Sequence, residues 1–143
     1  MFVKQISVFL ENKAGRLAQV TGILSKNNIN IRAMSIADTT DFGILRLIVD
    51  NPKLAVEVLR AAELAVKATD VIAVSVADKP GSLYGSLKIL EENGIGIEYM
   101  YASLGNDNGN ALVILKVDDC DAAIAKLREQ GVSVLDAERV YQI

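Results

Sequence analysis

Apolar positions along the 143-residue chain follow two rhythms that take turns. Val3 to Leu10 alternates and is rich in β-branched residues, which predicts a strand. From Gly15 to Asn27 the spacing changes: Leu17, Val20, Ile23 and Leu24 fall on one helical face, and the polar pair Asn27-Asn28 ends the run. Ile29 to Ala37 alternates again, "TTDFG" has turn chemistry, and Ile44 to Val49 returns as a strand, so a hairpin is expected. Pro52 suits a helix start for Lys53 to Ala62, and a further strand begins at Leu64. The order is β-α-β-β-α-β.

The same order then recurs. Val71 to Ala77 reads as a strand, Gly81 to Asn93 as a helix and Ile95 to Leu104 as a strand. A turn "GNDNGN" follows, then Ala111 to Val117, a helix from Asp121 to Gln130 and a strand from Val132 to Val140. Residue matches support a duplication. At an offset of 66, Ile6, Val8, Lys13, Gly15 and Leu17 meet Ile72, Val74, Lys79, Gly81 and Leu83, and Asn27, Ile29, Ile31 and Met34 meet Asn93, Ile95, Ile97 and Met100. Past Gly105 to Asn110 the offset becomes 68, where Val49-Asp50 matches Val117-Asp118 and Leu59-Arg60 matches Leu127-Arg128.

The pattern is that of an α+β, ferredoxin-like βαββαβ fold in two tandem copies, each with two helices on one face of an antiparallel four-stranded sheet. A copy of about 70 residues is small to stand alone, so packing on the other copy or on a partner chain is expected. Leu64 to Ala77, "LAVKATDVIAVSVA", joins the copies without turn residues, and Asp70 is its one candidate bend. The chain is therefore expected to run nearly straight from one sheet into the next, which allows an exchange of edge strands between copies.

Composition narrows the chemistry. The chain is 51% hydrophobic and 23% charged with a net charge of −3, which suits a globular domain. Lys and Arg are scattered, and the central strands offer Ile6, Val8, Leu45 and Leu47 where an RNA-binding sheet needs aromatics, so nucleic acid is not the expected partner. Without histidine the commonest general base and metal ligand is missing, and a single cysteine, Cys120, allows no intrachain disulfide. The apolar start is too short and interrupted for a signal peptide, and no run is long enough to span a bilayer. A soluble cytoplasmic protein with no membrane association is the expectation.

Two loops raise the question of a ligand. "ENKAGRL" (Glu11 to Leu17) and "ADKPGSL" (Ala77 to Leu83) each end a strand and open a helix across a glycine. Glycine there lets backbone N–H groups approach a ligand, and helix N-termini attract negative charge. No Gly-Lys-Ser/Thr phosphate loop follows either glycine.

The stretches "NKAGRLAQVTGILSKNNINI" (Asn12 to Ile31) and "DKPGSLYGSLKILEENGIGI" (Asp78 to Ile97) resemble the ACT family of small-molecule-sensing domains. In each, an Asn or Asp precedes the Gly by three residues, a Leu follows it by two, and the helix leads by a short loop into the second strand. The resemblance covers the chain as two adjacent copies, with ACT-like domains at residues 1–70 and 71–143. It implies a regulatory domain that binds an amino acid or related metabolite between two such domains. Carried over by position, it points to Asn12, Gly15, Arg16, Leu17, Asn28, Asn30 and Ile31 in the first copy. In the second copy it points to Asp78, Gly81, Ser82, Leu83, Gly94, Gly96 and Ile97.

The chemistry of these residues fits an amino acid: N–H groups for its carboxylate, Asn12, Asp78 or loop carbonyls for its ammonium, and Met34, Ile97 or Met100 for its side chain. A bland account stands beside it, in which Asn12 and Asp78 cap their own turns and the glycines serve only the bend. Arg16 suits a carboxylate clamp or an intersubunit pair, and a solvated surface at least as well. Tyr84, Tyr99 and Tyr101 give the second copy a more aromatic setting, for a flat effector or for packing. "DDCD" (Asp118 to Asp121) reads more simply as a helix cap than as a metal site, and Cys120 as an inert thiol.

The expected function is thus a non-catalytic regulator without cofactor or metal. It would bind an amino-acid effector, assemble as a homodimer or higher homo-oligomer, and act in trans on an enzyme of amino-acid metabolism. The alternatives are a small enzyme on the same scaffold and an interaction module with no ligand.

Overall fold

A computed structural model describes residues 2–38 and 41–143. In order, the elements are β1 (Val3–Glu11), α1 (Arg16–Lys26), β2 (Ile31–Asp38), β3 (Phe42–Val49), α2 (Pro52–Ala61), β4 (Ala65–Val76), α3 (Ser82–Glu92), β5 (Ile97–Asp107), β6 (Asn110–Val117), α4 (Cys120–Glu129), β7 (Ser133–Leu135) and α5 (Ala137–Gln142). They form two compact units, one spanning Lys4–Thr69 and the other Asp70–Ile143 together with the N-terminal residues up to Val3. Each unit is an α+β, βαββαβ copy with antiparallel strands.

In the first unit β3 lies between β1 and β2 and pairs antiparallel with both, setting Leu47 opposite Ile6 and Met34. Strand alternation turns Ile6, Val8, Leu10, Leu45 and Leu47 to one face, where Val20 and Leu24 of α1 and Ala55 and Leu59 of α2 close over them. In the second unit β4 lies between β6 and β7, and β5 flanks β6. Ile72, Val74, Val113 and Leu115 meet Leu90 of α3 and Ala123 and Leu127 of α4 in the equivalent core. Burying each such Leu, Ile or Val is worth about 1.5–3 kcal/mol, so these two faces carry most of the stability.

The join is one uninterrupted strand. The twelve residues of β4 include Asp70, and the strand is longer than the usual strand of about 3–10 residues. That is compatible with an exchange of edge strands, while its registers to β6 and β7 complete the second sheet within its own copy.

Three local readings change. The strand expected over Val132 to Val140 is only three residues long, and the chain then turns into α5. Its apolar residues leave the two-residue rhythm at Leu135, and Ala137 and Val140, three apart, are the buried pair. The hairpin turn in the second copy is only Asn108-Gly109, both with positive φ (52° and 87°), the two-residue form that matches strand twist. The two extra residues implied by the offset change (68 − 66) lie inside β5, where Ser103, Leu104 and Gly105 stand between the pairs Ala102–Val113 and Asn106–Ala111. In the first copy Thr39 and Thr40 of the expected turn lie outside the described residues.

Candidate functional site

Both glycine corners are built alike. Gly15 stands before α1 at φ 88°, ψ −9°, and Gly81 before α3 at φ 88°, ψ −11°, the left-handed region that glycine enters without a Cβ penalty. Neither helix has a side-chain cap or an acidic residue in its first turn. The Arg16 N–H leans back onto the Lys13 carbonyl at 3.4 Å and the Ser82 N–H onto that of Lys79 at 3.3 Å. The next two N–H groups, of Leu17 and Ala18 or of Leu83 and Tyr84, meet no acceptor among the described residues. Each corner therefore presents two donors at the positive end of a helix.

Around the first corner the chain forms a concavity of about 250 Å³. Asn12, Arg16 and Leu17 line it, with Ile36 and Leu45 as apolar wall and Asp38 at its edge. The Asn12 N–H donates to the Asp41 carbonyl at 2.9 Å, which ties the loop to the start of β3. Arg16 reaches Gln19 Oε1 at 3.1 Å. Glu11 pairs with Lys13 at 2.7 Å, and this bond holds its carboxyl below the usual range.

The other expected residues lie at the far end of α1. Asn28, Asn30 and Ile31 line a separate concavity of about 570 Å³ with Thr21, Ser25 and Asp50. Eleven residues of helix, about 16 Å, separate the two groups, so one copy does not bring all seven residues together. Asn28 has a role of its own there. At φ 56° it is the left-handed residue that ends α1, donating to Ser25 O at 3.1 Å while Ile29 donates to Leu24 O at 2.9 Å. Gly94 does the same after α3 at φ 67°.

Two carboxylates hold the start of the second strand: Asp50, unassigned in the sequence, and Asp118, read there as part of a helix cap. Asp50 Oδ1 accepts from Asn30 N–H at 2.9 Å, and Asp118 Oδ2 accepts from Gly96 N–H at 3.1 Å. The reverse backbone bonds, Asp50 N–H to Asn30 O at 3.1 Å and Asp118 N–H to Gly96 O at 3.2 Å, complete each clamp. The repeat of Val-Asp at positions 49–50 and 117–118 was the signal that could have found them. Asn27 and Asn93, also repeated, turn their side-chain amides back onto Ile23 O at 2.9 Å and Ile89 O at 2.8 Å.

In the second copy Asp78 and Gly81 are exposed, while Ser82 and Leu83 are half-buried. Leu83 and Ile97 pack on the second core. Gly96 is tightly bounded, because a Cβ there would stand 3.1 Å from Asp118 Oδ2. Strand alternation puts Tyr99 and Tyr101 on one face of β5 and Met100 on the other, while Tyr84 is exposed on α3 near Lys88. Within "DDCD", Asp119 caps α4 by accepting from Ala122 N–H at 3.0 Å, and Asp118 serves its clamp. Burial pushes the Cys120 thiol up, against the lowering that a helix start alone would give.

The fold, the duplicated corners and the duplicated strand clamps agree with the family model for an ACT domain pair, which matches residues 1–142. The chain belongs to the ACT domain pair family. It is similar over its full length to a crystallised Bacteroides thetaiotaomicron protein, with 43% identity, 98% of that chain covered and a TM-score of 0.94. It shares its fold with the ligand-free regulatory subunit of aspartate kinase from Thermus thermophilus (18% identity, TM-score 0.65, 90% of this ACT pair and 93% of that chain). The Thermus flavus regulatory subunit is comparable, at 17% identity and TM-score 0.64, with 90% of each chain covered. No curated protein matches the ACT pair. Among the described residues, no helix is long and apolar enough to cross a membrane.

Proposed function

We propose that this ACT domain pair is a non-catalytic regulator that binds a small amino acid or related metabolite and acts in trans on an enzyme of amino-acid metabolism. The observation that carries the reading is the first corner, where the Leu17 and Ala18 N–H groups open at the start of α1 beside an apolar wall. A carboxylate meets those donors, the Asn12 side chain or a loop carbonyl takes the ammonium, and Leu17, Ile36 and Leu45 receive the side chain. At about 250 Å³ the concavity is smaller than the roughly 300–1,000 Å³ of a complete ligand pocket, which suits a half-site. The wall carrying Asn28, Asn30 and Ile31, held by Asp50, has the polar character for the other half, supplied by a facing ACT domain in a homodimer or higher homo-oligomer.

A thermal-shift screen of the common amino acids, followed by calorimetry on any hit, tests this. A ligand at ten times its Kd stabilises by about 1.4 kcal/mol, a rise of roughly 3–5 °C in Tm for a chain of this size. The reading fails if no amino acid at millimolar concentration shifts Tm and none gives heat on titration. An interaction module without a ligand is then the better account.

A further inference from the structure

Tandem copies allow one position of the fold to be compared with itself. In the first copy Leu10 of β1 stands opposite Gly43 of β3, and in the second Val76 of β4 stands opposite Ala111 of β6. The next strand sets Asp38 beside Gly43 and Asn106 beside Ala111, so the two rows are equivalent. Directly opposed residues of paired strands share a face, and Leu10 and Val76 belong to the two cores. Ala111 accordingly packs on the second core. At Gly43 that methyl group is missing.

Neither backbone nor packing asks for glycine there. Gly43 lies within a strand and outside the left-handed region, and a Cβ built on it meets nothing closer than 3.9 Å, in ordinary contact with Ile36 and Asp38. Glycine inside a strand costs chain entropy, and it recurs where a ligand comes close. What Gly43 borders is the concavity of about 250 Å³ at the first corner, with Leu10, Leu17, Ile36 and Leu45 as its apolar walls. The helices differ in the same sense: Leu83 of α3 is half-buried and packs on the second core, whereas Leu17 of α1 is 42% exposed. The first copy thus leaves open, between sheet and helix start, a space that the second fills with its own side chains.

We propose that Gly43 is a specificity-determining residue of the amino-acid site, and that the space it leaves open takes the aliphatic side chain of valine, leucine or isoleucine. This rests on the amino-acid reading above and adds which effector the site takes and which residue decides it. The effector side chain completes the first core where Ala111 and Leu83 complete the second, and it gains the burial of apolar surface that selects it. The charged groups at the border do not enter: Glu11 and Lys13 pair with each other in solvent, Arg16 reaches to Gln19, and Asp38 is exposed. A charged effector side chain would therefore lose water against aliphatic carbon without a buried partner.

The test is calorimetry on the full chain with L-valine, L-leucine and L-isoleucine, and with L-aspartate and L-lysine for comparison. The variants are Gly43→Ala, which installs the residue of the second copy, and Gly43→Val. Wild type is expected to bind at least one of the three aliphatic amino acids saturably. Its Kd should rise at least about tenfold in Gly43→Ala, since one carbon in an apolar pocket is worth roughly 10–200-fold, and binding should vanish in Gly43→Val. The free Gly43→Ala chain should melt no lower than wild type, because alanine suits a strand better than glycine. Affinity lost without stability lost is a result that a merely structural glycine does not give. Equal binding by Gly43→Ala, or a Tm more than about 4 °C below wild type, overturns the inference. Preference for aspartate or lysine over every aliphatic amino acid also overturns it and leaves the amino-acid reading standing. If no amino acid binds wild type, that reading falls and this inference falls with it.

Discussion

Gly15→Ala and Gly81→Ala form a matched pair whose cost can be worked from geometry. Both glycines sit at φ 88° before a helix, and a Cβ built on either meets no atom within 4 Å. Steric collision is thus absent and only the backbone term remains. A left-handed L-residue costs about 1–2 kcal/mol, and the stiffer unfolded chain returns about 0.4–1 kcal/mol. Each variant should lose about 1 kcal/mol, seen as a lower urea midpoint at unchanged m and a fall of roughly 2–4 °C in Tm. A loss above about 3 kcal/mol would refute the open-space reasoning, and no loss in either variant would refute the enforced dihedral. Ligand affinity measured on the same proteins separates turn from site. In a folded Gly15→Ala chain, a Kd raised more than about tenfold marks contact at the corner, and an unchanged Kd leaves Gly15 a bend residue.

Glu63, at φ 64°, ends α2 where the second copy uses Gly131 at φ 80°, so Glu63→Gly should raise stability by about 0.5–1 kcal/mol in thermal unfolding. A loss would show that the Glu63 side chain contributes a contact larger than its backbone penalty. Arg139→Gln should destabilise in a pH-dependent way. Arg139 holds the Asp107 carboxyl below its usual value, so its contribution is complete above the unfolded value of about 3.9 and is lost as pH falls through the lower folded value. With Arg139 half-exposed, the cost at pH 7 is about 0.5–1 kcal/mol, and the Tm gap to wild type should close below about pH 4. A gap that persists at pH 2 would assign the effect to packing of α5.

The fold was legible because each copy repeats the same switch of rhythm, and because Gly15 and Gly81 fix the offset at which matches line up. α5 was not, because Val132 and Val134 alternate convincingly and only three residues of that run find a strand partner. At the candidate site the sequence did not show how its residues are held. Asn28 read as a ligand group, yet its backbone is required at φ 56° to end α1, a role the sequence shows only through its counterpart Gly94. Asp50 was passed over because a carboxylate that receives an N–H from twenty residues away leaves no local pattern.

The two copies share a backbone and differ in what they hang on it, and that difference bears on where a ligand is recognised. A carboxylate bound as proposed would meet the same pair of donors at either corner, so backbone chemistry alone cannot prefer one copy. Side chains can. The first corner offers Arg16 and a small Ala18, while the second offers Ser82 and Tyr84, with Pro80 in the loop before it. At the far end of the helix Asn30 carries a side chain beside Asp50, whereas Gly96 carries none, and a Cβ there would press within 3.1 Å of Asp118 Oδ2. The second copy therefore has no side chain at the position where the first presents Asn30. If the proposed effector is recognised through side chains, the first copy is where it is read, and a chain that bound one effector per copy would have to do so through the backbone donors the two copies share.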